Sequence, residues 1–295
     1  MSHMKSKQNH WDDFVHSTRR PTITAPEVIQ RFKSFKALFD QLPKKELISR
    51  GWLKTADDFS SLASVFFDLS SEQRLTLFRK APTANESMLI VWQSQVRAEA
   101  EYSCVTDPLP RFESLGKGYL HELARLSRNT QNMKELPAIL RKSGIILIYL
   151  PALPGMKADG AVFCLSSGNP VVGLSLRFPR LDYFWFTLLH ELAHLVLHAD
   201  QLKEPVFFDV ETSEERDQIE KAANRVAKDS IVDRESWRNC APKYDTSDQA
   251  VHTYAAEQGV HPSLIAGLLR KESGNYKRYS DLIHAHDVRE IIFQP

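Results

Sequence analysis

The chain has few cysteines and almost no net charge. Its 295 residues include three cysteines, and none of them forms a Cys-x-x-Cys pair. This usage argues against a disulfide framework or a zinc ribbon, and it fits a reducing cytoplasm. The formal net charge of +1 provides no electrostatic footprint for nucleic acid or for an anionic membrane.

Long apolar runs are also missing. No stretch of about 18 apolar residues occurs, and no signal peptide opens the chain. The sequence therefore predicts a soluble, cytoplasmic protein. Hydrophobic residues make up 42% of the chain, which is enough for a substantial core in one or two domains.

One segment is both strongly apolar and regularly interrupted. From Phe184 to His198 it reads F-W-F-T-L-L-H-E-L-A-H-L-V-L-H. Its polar residues recur every three to four positions, which places them on one stripe of a buried helix. Such a stripe needs partners, because an unpaired buried polar group costs roughly 2–7 kcal/mol.

The polar stripe contains the pattern His-Glu-x-x-His. His190 and His194 lie four residues apart, so their Cβ atoms are about 5–6 Å from each other and both imidazoles can bind one ion. Glu191 lies about 100° round the helix, beside such an ion. Zinc hydrolases use this arrangement, with two imidazole ligands and a carboxylate that accepts a proton from the attacking water. The alternative is a helix whose histidines are ordinary core residues.

A second segment starts in the same way and shows what the pattern requires. His121-Glu122-Leu123-Ala124 repeats the first four residues of the motif, but Arg125 follows where the second histidine would stand. No second imidazole is therefore available there, and we expect no metal site in this segment.

The order of predicted elements divides the chain into three parts. Residues 1–24 form a polar arm, which opens on a possible cloning remnant at Met1–Met4. Residues 25–107 form a helical N-terminal region. A proline-containing break at Asp107-Pro108-Leu109-Pro110 separates it from the domain of residues 108–295.

Helical periodicity recurs through the N-terminal region and again after the break. Ser71 and Asn85 stand where N-caps are expected. The predicted helices are Pro26–Leu42, Pro43–Trp52, Ala56–Leu69, Ser71–Lys80, Asn85–Glu101, Phe112–Arg128 and Lys134–Lys142.

Three short apolar runs separated by Pro, Gly, Ser and Asn turns then predict a small sheet. They are Ile145–Leu150, Ala161–Leu165 and Val171–Leu176. The third run leads into the His-Glu-x-x-His helix, for which Asp182 is a plausible N-cap. Together with the helices, this sheet predicts an α+β fold, and a strand beside such a helix often binds an extended peptide along its edge.

A third metal ligand is available downstream. Thr212 and Glu215 form a capping box that opens a helix to about Ser230. Glu220 and Asn224 share one face of it with two alanines, which allow close approach to a neighbouring helix. Glu220 is therefore either a ligand at the metal stripe or a solvated charge on a polar helix, and periodicity leaves both readings open.

The C-terminal part is predicted as short helices over Asp248–Gly259 and Pro262–Lys271, followed by a final helix over Tyr279–Ile292. The first pair resembles a helix-turn-helix in spacing. It lacks a basic recognition face, which disfavours direct DNA binding.

At this point the residues resemble a known family. Leu174–Arg177 followed by Asp182–His198 is similar to the core of the ImmA/IrrE family of zinc metallopeptidases, and Glu220-x-x-x-Asn224-x-x-Ala227 resembles its second motif. Tyr254–Pro262 resembles the small helical element after the active site. The resemblance covers about residues 112–275 and implies a zincin-like core.

The resemblance also implies roles for individual residues. His190, His194 and Glu220 would be zinc ligands, and Glu191 would be the catalytic base. His198, Tyr183 and Tyr254 are all candidates to stabilise the oxyanion, and His198 is more readily a structural or supporting histidine than a ligand.

The N-terminal region carries a further implication. Gly51-Trp52 and Phe66–Ser70 resemble the linker that follows a DNA-binding helix-turn-helix in longer relatives. We therefore expect the helix-turn-helix on a separate partner, a regulator or antitoxin in a stress, phage-defence or toxin–antitoxin switch. The alternative is a partner-sensing module with little or no peptidase activity.

Overall fold

The computed structural model describes residues 25–62, 84–198 and 213–294, which form an α+β fold. The helices are α1 (Ala25–Asp40), α2 (Lys44–Ser49), α3 (Ala84–Thr106), α4 (Lys117–Arg125), α5 (Asn132–Arg141), α6 (Leu181–His198), α7 (Ser213–Ile231), α8 (Arg234–Arg238), α9 (Asp248–Gln258), α10 (Pro262–Ser273), α11 (Ser280–His284) and α12 (Val288–Phe293). The strands are β1 (Ile146–Tyr149), β2 (Gly160–Cys164) and β3 (Pro170–Leu174). None of the described helices is long and apolar enough to cross a membrane.

The predicted sheet is confirmed, and its strands have the order β1-β3-β2. The central strand β3 pairs with β1 in parallel and with β2 antiparallel. Every residue of β3 is buried, as expected for a strand covered on both faces. The strand that leads into α6 is thus the central one, and β2 lies at an edge.

Helices cover both faces of the sheet. Leu147, Val172 and Leu174 pack into the hydrophobic cluster that contains α6. Ile146 and Val171, which alternate with them along the strands, pack into the cluster that contains α1 and α3. The N-terminal helices therefore share a core with the sheet, while the predicted domain boundary itself stays a prediction.

Close packing of α3 on the sheet depends on one glycine. A Cβ on Gly173 would lie 2.9 Å from Cγ1 of Val96 and 3.0 Å from Cη2 of Trp92. The indole Nε1 of Trp92 also donates a hydrogen bond to the carbonyl of Leu150 at 2.8 Å, so the helix is held at the end of β1.

The buried helix is confirmed as α6, which begins three residues earlier than the apolar pattern predicted. Its side chains Trp185, Leu188, Leu189 and Leu192 are fully buried. Helix α7 lies against it, and the two alanines Ala223 and Ala227 on the facing side are fully buried. Small side chains at this contact bring the polar residues of α7 close to α6.

Several predicted helix ends are wrong. Asn85 lies inside α3 rather than capping it, and its side chain accepts a hydrogen bond from the backbone amide of Lys157 instead. Asp182 lies inside the first turn of α6 and forms an ion pair with Arg180. The predicted helix Ala56–Leu69 is described only as far as residue 62, and its predicted start is wrong, because residues 56–59 are not helical and the helix begins at Ser60. The predicted helix Ser71–Lys80, the cap Ser71, Phe66–Ser70, the arm and Thr212 lie outside the described residues.

The prediction of a single final helix over Tyr279–Ile292 is also wrong. Between Ser280 and Phe293 there are two short helices, α11 and α12. The chain turns between them because Asp287 caps α12 and the amide of Val288 donates to the carbonyl of Pro179 at 2.9 Å. Arg289 then holds the connection between β3 and α6, donating to the carbonyls of Leu176 and Arg177 at 2.9 and 2.8 Å.

Candidate metal centre

Three side chains from α6 and α7 converge on one point. Nε2 of His190 and Nε2 of His194 are 3.1 Å apart. Oε2 of Glu220 lies 3.2 Å from Nε2 of His190, and its Oε1 lies 3.6 Å from Nε2 of His194. Among the described residues, these three form the cluster of His, Cys, Asp and Glu side chains that could hold a metal ion.

The spacing of these donors fits zinc. Ligands at about 2.0–2.1 Å in a tetrahedron are separated from each other by about 3.3 Å. The three measured separations lie close to this value, and two neutral imidazoles with one carboxylate are a donor set that zinc accepts. The structure therefore brings Glu220 to the two histidines, which periodicity alone did not decide.

Charges around the histidines favour a bound cation. Burial opposes charge on His190, but its hydrogen bonds with Glu220 and Asn224 and the charge of Glu191 raise its pKa above the usual range. Burial and the neighbouring His190 lower the pKa of His194. The carboxylates of Glu220 and Glu191 therefore stabilise positive charge at this point, which a bound metal ion would supply.

Glu191 lies beside the cluster without belonging to it. Its side chain is 8% exposed and lies under the first residue of β2. A Cβ on Gly160 would stand 2.7 Å from Oε1 of Glu191, so only glycine fits there without displacing the carboxylate. Burial, more than any other cause, raises the pKa of Glu191 to about 7, which suits a group that both accepts and releases a proton near neutral pH.

A hydrogen-bonded group that the sequence did not reveal lies next to Gly160. Asp159 accepts from Nε of Arg177 at 2.7 Å and from the hydroxyl of Tyr183 at 2.9 Å. The carbonyl of Asp159 accepts from the amide of Ser175. These contacts hold the start of β2 above Glu191. The sequence Ala158-Asp159-Gly160 indicated a turn before β2, but it did not indicate that this turn contacts α6.

The three oxyanion candidates lie in different surroundings. Tyr183 is engaged with Asp159, on the side of Glu191. The hydroxyl of Tyr254 lies 3.0 Å from Oγ of Ser236. The ring of His198 is 6.2 Å from that of His194, and burial lowers its pKa. Among the described residues, His198 does not belong to the cluster that could hold a metal ion.

The incomplete motif His121-Glu122-Leu123-Ala124 lies on α4, away from the candidate metal centre. His121 lies on α4, where Nδ1 is 2.9 Å from the carbonyl of Ser230. Glu122 is exposed and forms only a 3.5 Å contact with Arg125. His121 thus joins α4 to the end of α7.

Comparison with known families gives a match, and it covers the part of the chain that contains the candidate metal centre. Residues 142–266 match the family model described as Peptidase_M78, IrrE N-terminal-like domain. The match confirms the resemblance to the ImmA/IrrE family for this part of the chain, and a metallopeptidase family implies a metal ion. Comparison with curated proteins found no match.

Proposed function

We propose that this chain, whose residues 142–266 are an IrrE N-terminal-like domain of the M78 peptidases, is a zinc-dependent endopeptidase with a zincin-like core. The observation that carries the proposal is the convergence of His190, His194 and Glu220 at zinc-like spacing. Glu191 lies beside them as a buried carboxylate without a place among the ligands. A purely structural zinc site would leave this carboxylate without a role.

The chain's own residues supply most of the chemistry. Zinc, when bound by His190, His194 and Glu220, would act as a Lewis acid toward water and the scissile carbonyl. Glu191 accepts a proton from the attacking water and then donates it to the leaving amine. Its burial under Gly160 keeps the carboxylate in one position and excludes bulk solvent from it.

The edge strand β2 offers a surface for an extended substrate. On the side away from β3, β2 pairs with no other strand in the described part of the chain. Gly160, its first residue, lies directly over Glu191. A peptide that adds to this edge by main-chain hydrogen bonds would pass the catalytic carboxylate.

The test is a single substitution with a matched control inside the same protein. Glu191→Gln removes the proton acceptor but keeps size and ligands, so we expect zinc content to be retained and cleavage to fall at least about 10²–10⁴-fold. Glu122→Gln makes the same change in the other His-Glu-Leu-Ala segment and should have no effect. Activity of Glu191→Gln within a few-fold of the wild type would refute the role of Glu191, and loss of zinc would make it a ligand.

The substrate that we propose is a separate regulatory protein with a helix-turn-helix, a repressor or antitoxin in a stress, phage-defence or toxin–antitoxin switch. The support is the near-zero net charge together with the linker-like Gly51-Trp52, since a regulator without a basic recognition face must act through another chain. A partner-sensing module that binds such a regulator without cleaving it is the second candidate.

Co-expression with a small helix-turn-helix protein encoded next to this chain separates these two candidates. Cleavage that requires Glu191 supports the peptidase. Co-elution on size exclusion with an intact partner supports the binding module. If the proteins neither co-elute nor react, the regulator is not the partner and the chain acts on other substrates.

A further inference from the structure

A lysine from α10 lies close to the metal ligands. The ring of Phe186, one turn before His190 on α6, lies 6.4 Å from the His190 ring at an interplanar angle of 26°. Nζ of Lys271 lies 4.5 Å from the centre of the Phe186 ring. These two distances place the ammonium no more than about 11 Å from the centre of the His190 imidazole.

The other charged groups nearby already have partners of opposite charge. Glu272 lies 3.3 Å from Nζ of Lys228 and 2.7 Å from Nζ of Lys243, and its carboxylate also accepts from Nε1 of Trp237. Lys271 forms no ion pair with any of the residues that the structure describes. Its ammonium contacts the face of Phe186, a weak attraction at an exposed site.

We propose that Lys271 binds an acidic side chain of the substrate within about three residues of the scissile bond, an inference that rests on the peptidase activity proposed above. An extended peptide advances about 3.3 Å per residue, so the upper limit of about 11 Å corresponds to about three residues. The ring of Phe186 lies between the two residues, since it contacts the ammonium of Lys271 on one side and stacks near the ring of the proposed ligand His190.

The surroundings of Lys271 favour a carboxylate as its partner. Partial burial and the positive charge of Lys228 lower the pKa of Lys271, so the free protein holds this ammonium at an electrostatic cost. A substrate carboxylate replaces that repulsion with attraction. Glu272 does not reach Lys271, because the next residue of a helix points about 100° away and its oxygens are engaged by Lys228 and Lys243.

The experiment uses the zinc-loaded full chain and mixtures of quenched-fluorescent octapeptides. The peptides are acetylated and amidated, so their termini carry no charge, and one position at a time is fixed as Asp, Asn or Lys. At one position we expect kcat/KM to be about three- to tenfold higher for Asp than for its uncharged isostere Asn. The ratio should decrease in 0.5 M salt, which screens a partly exposed pair.

Four variants identify the residue responsible. Lys271→Met removes the charge but keeps a long, unbranched side chain, and it should bring the Asp/Asn ratio to about one. Lys271→Arg should retain the preference, and Lys271→Glu should favour Lys at the same position. Lys277→Met is the matched control, since Lys277 is an exposed lysine in the segment after α10, and it should behave as the wild type. Melting temperature and zinc content check that each variant is folded and loaded.

A wild type with no preference for Asp, or a Lys271→Met variant that keeps the preference, would overturn the proposal. If the wild type cleaves none of the mixtures, the peptidase function fails for these peptides, and binding decides the role of Lys271. The fluorescein-labelled Asp and Asn mixtures are then titrated with zinc-loaded Glu191→Gln protein. Tighter binding of the Asp mixture that is lost with Lys271→Met supports the proposal, and equal binding of the two mixtures overturns it.

Discussion

Gly160 lies against the carboxylate of Glu191 so closely that a Cβ at this position would stand 2.7 Å from Oε1 and 2.9 Å from Cγ. Real Cβ atoms do not approach other atoms this closely, so any larger residue must move either β2 or Glu191. The side chain of Glu191 has little room to move, because it is buried within α6.

We therefore expect Gly160→Ala to reduce cleavage by a large factor, comparable to the loss of a general base, about 10²-fold or more. Zinc content should stay near that of the wild type, because Gly160 is not one of the three proposed ligands. The measurement is kcat/KM together with zinc per chain. Gly118→Ala is the control, since a Cβ there meets no atom within 4 Å. Full activity of Gly160→Ala would show that β2 does not position Glu191.

The proposed metal ligands His190, His194 and Glu220 make a second prediction. The purified chain should carry about one zinc, and His190→Ala combined with His194→Ala should abolish binding. Glu220→Gln keeps size but removes the ligand charge, so affinity should decrease about tenfold or more. Competition with a chelator measures these affinities, with Asp229→Asn, an exposed change on the same helix, as the control. Unchanged affinity in Glu220→Gln would mean that a different group completes the site.

His261 makes a prediction about stability and pH. Nδ1 of His261 caps α10 by accepting a hydrogen bond from the amide of Ser263 at 3.1 Å. Burial, followed by the nearby His286 and His252, lowers the pKa of His261 to about 4 from its usual 6.5. A protonated Nδ1 cannot accept this bond, so acid removes the cap.

Between pH 6.5 and 4 the unfolded chain binds more protons at His261 than the folded chain does. The free energy of unfolding should therefore decrease as the pH falls through this range. Asn is a good N-cap that does not titrate, so His261→Asn should have a shallower decrease. Urea unfolding at pH 7.5, 6 and 5 measures both slopes, and the other histidines cancel in the difference. Parallel curves for the two proteins would contradict the prediction.

The part of the site that lies on one helix followed from the sequence. Residues four apart on a helix share a face, so His190 and His194 had to be neighbours wherever α6 was placed. The apolar residues around them required that this face be buried. The three strands and most helices were predicted for the same reason, because their periodicity is a local property of the chain.

The remaining parts of the site depend on how distant segments pack. Periodicity alone allowed Glu220 to be either a ligand or a solvated surface residue. The packing of α7 against α6 through Ala223 and Ala227 places it beside the two histidines. The break between α11 and α12 follows from a hydrogen bond between Val288 and Pro179, residues that no local pattern connects.

Two further relationships were invisible in the sequence. Gly160 reads as an ordinary turn glycine, and Lys271 reads as an ordinary surface lysine. Only the packing of β2 and α10 against α6 places the first over Glu191 and the second over Phe186. Periodicity determines which face of a helix is buried, whereas the residues that face it are decided by the tertiary contacts that bury it.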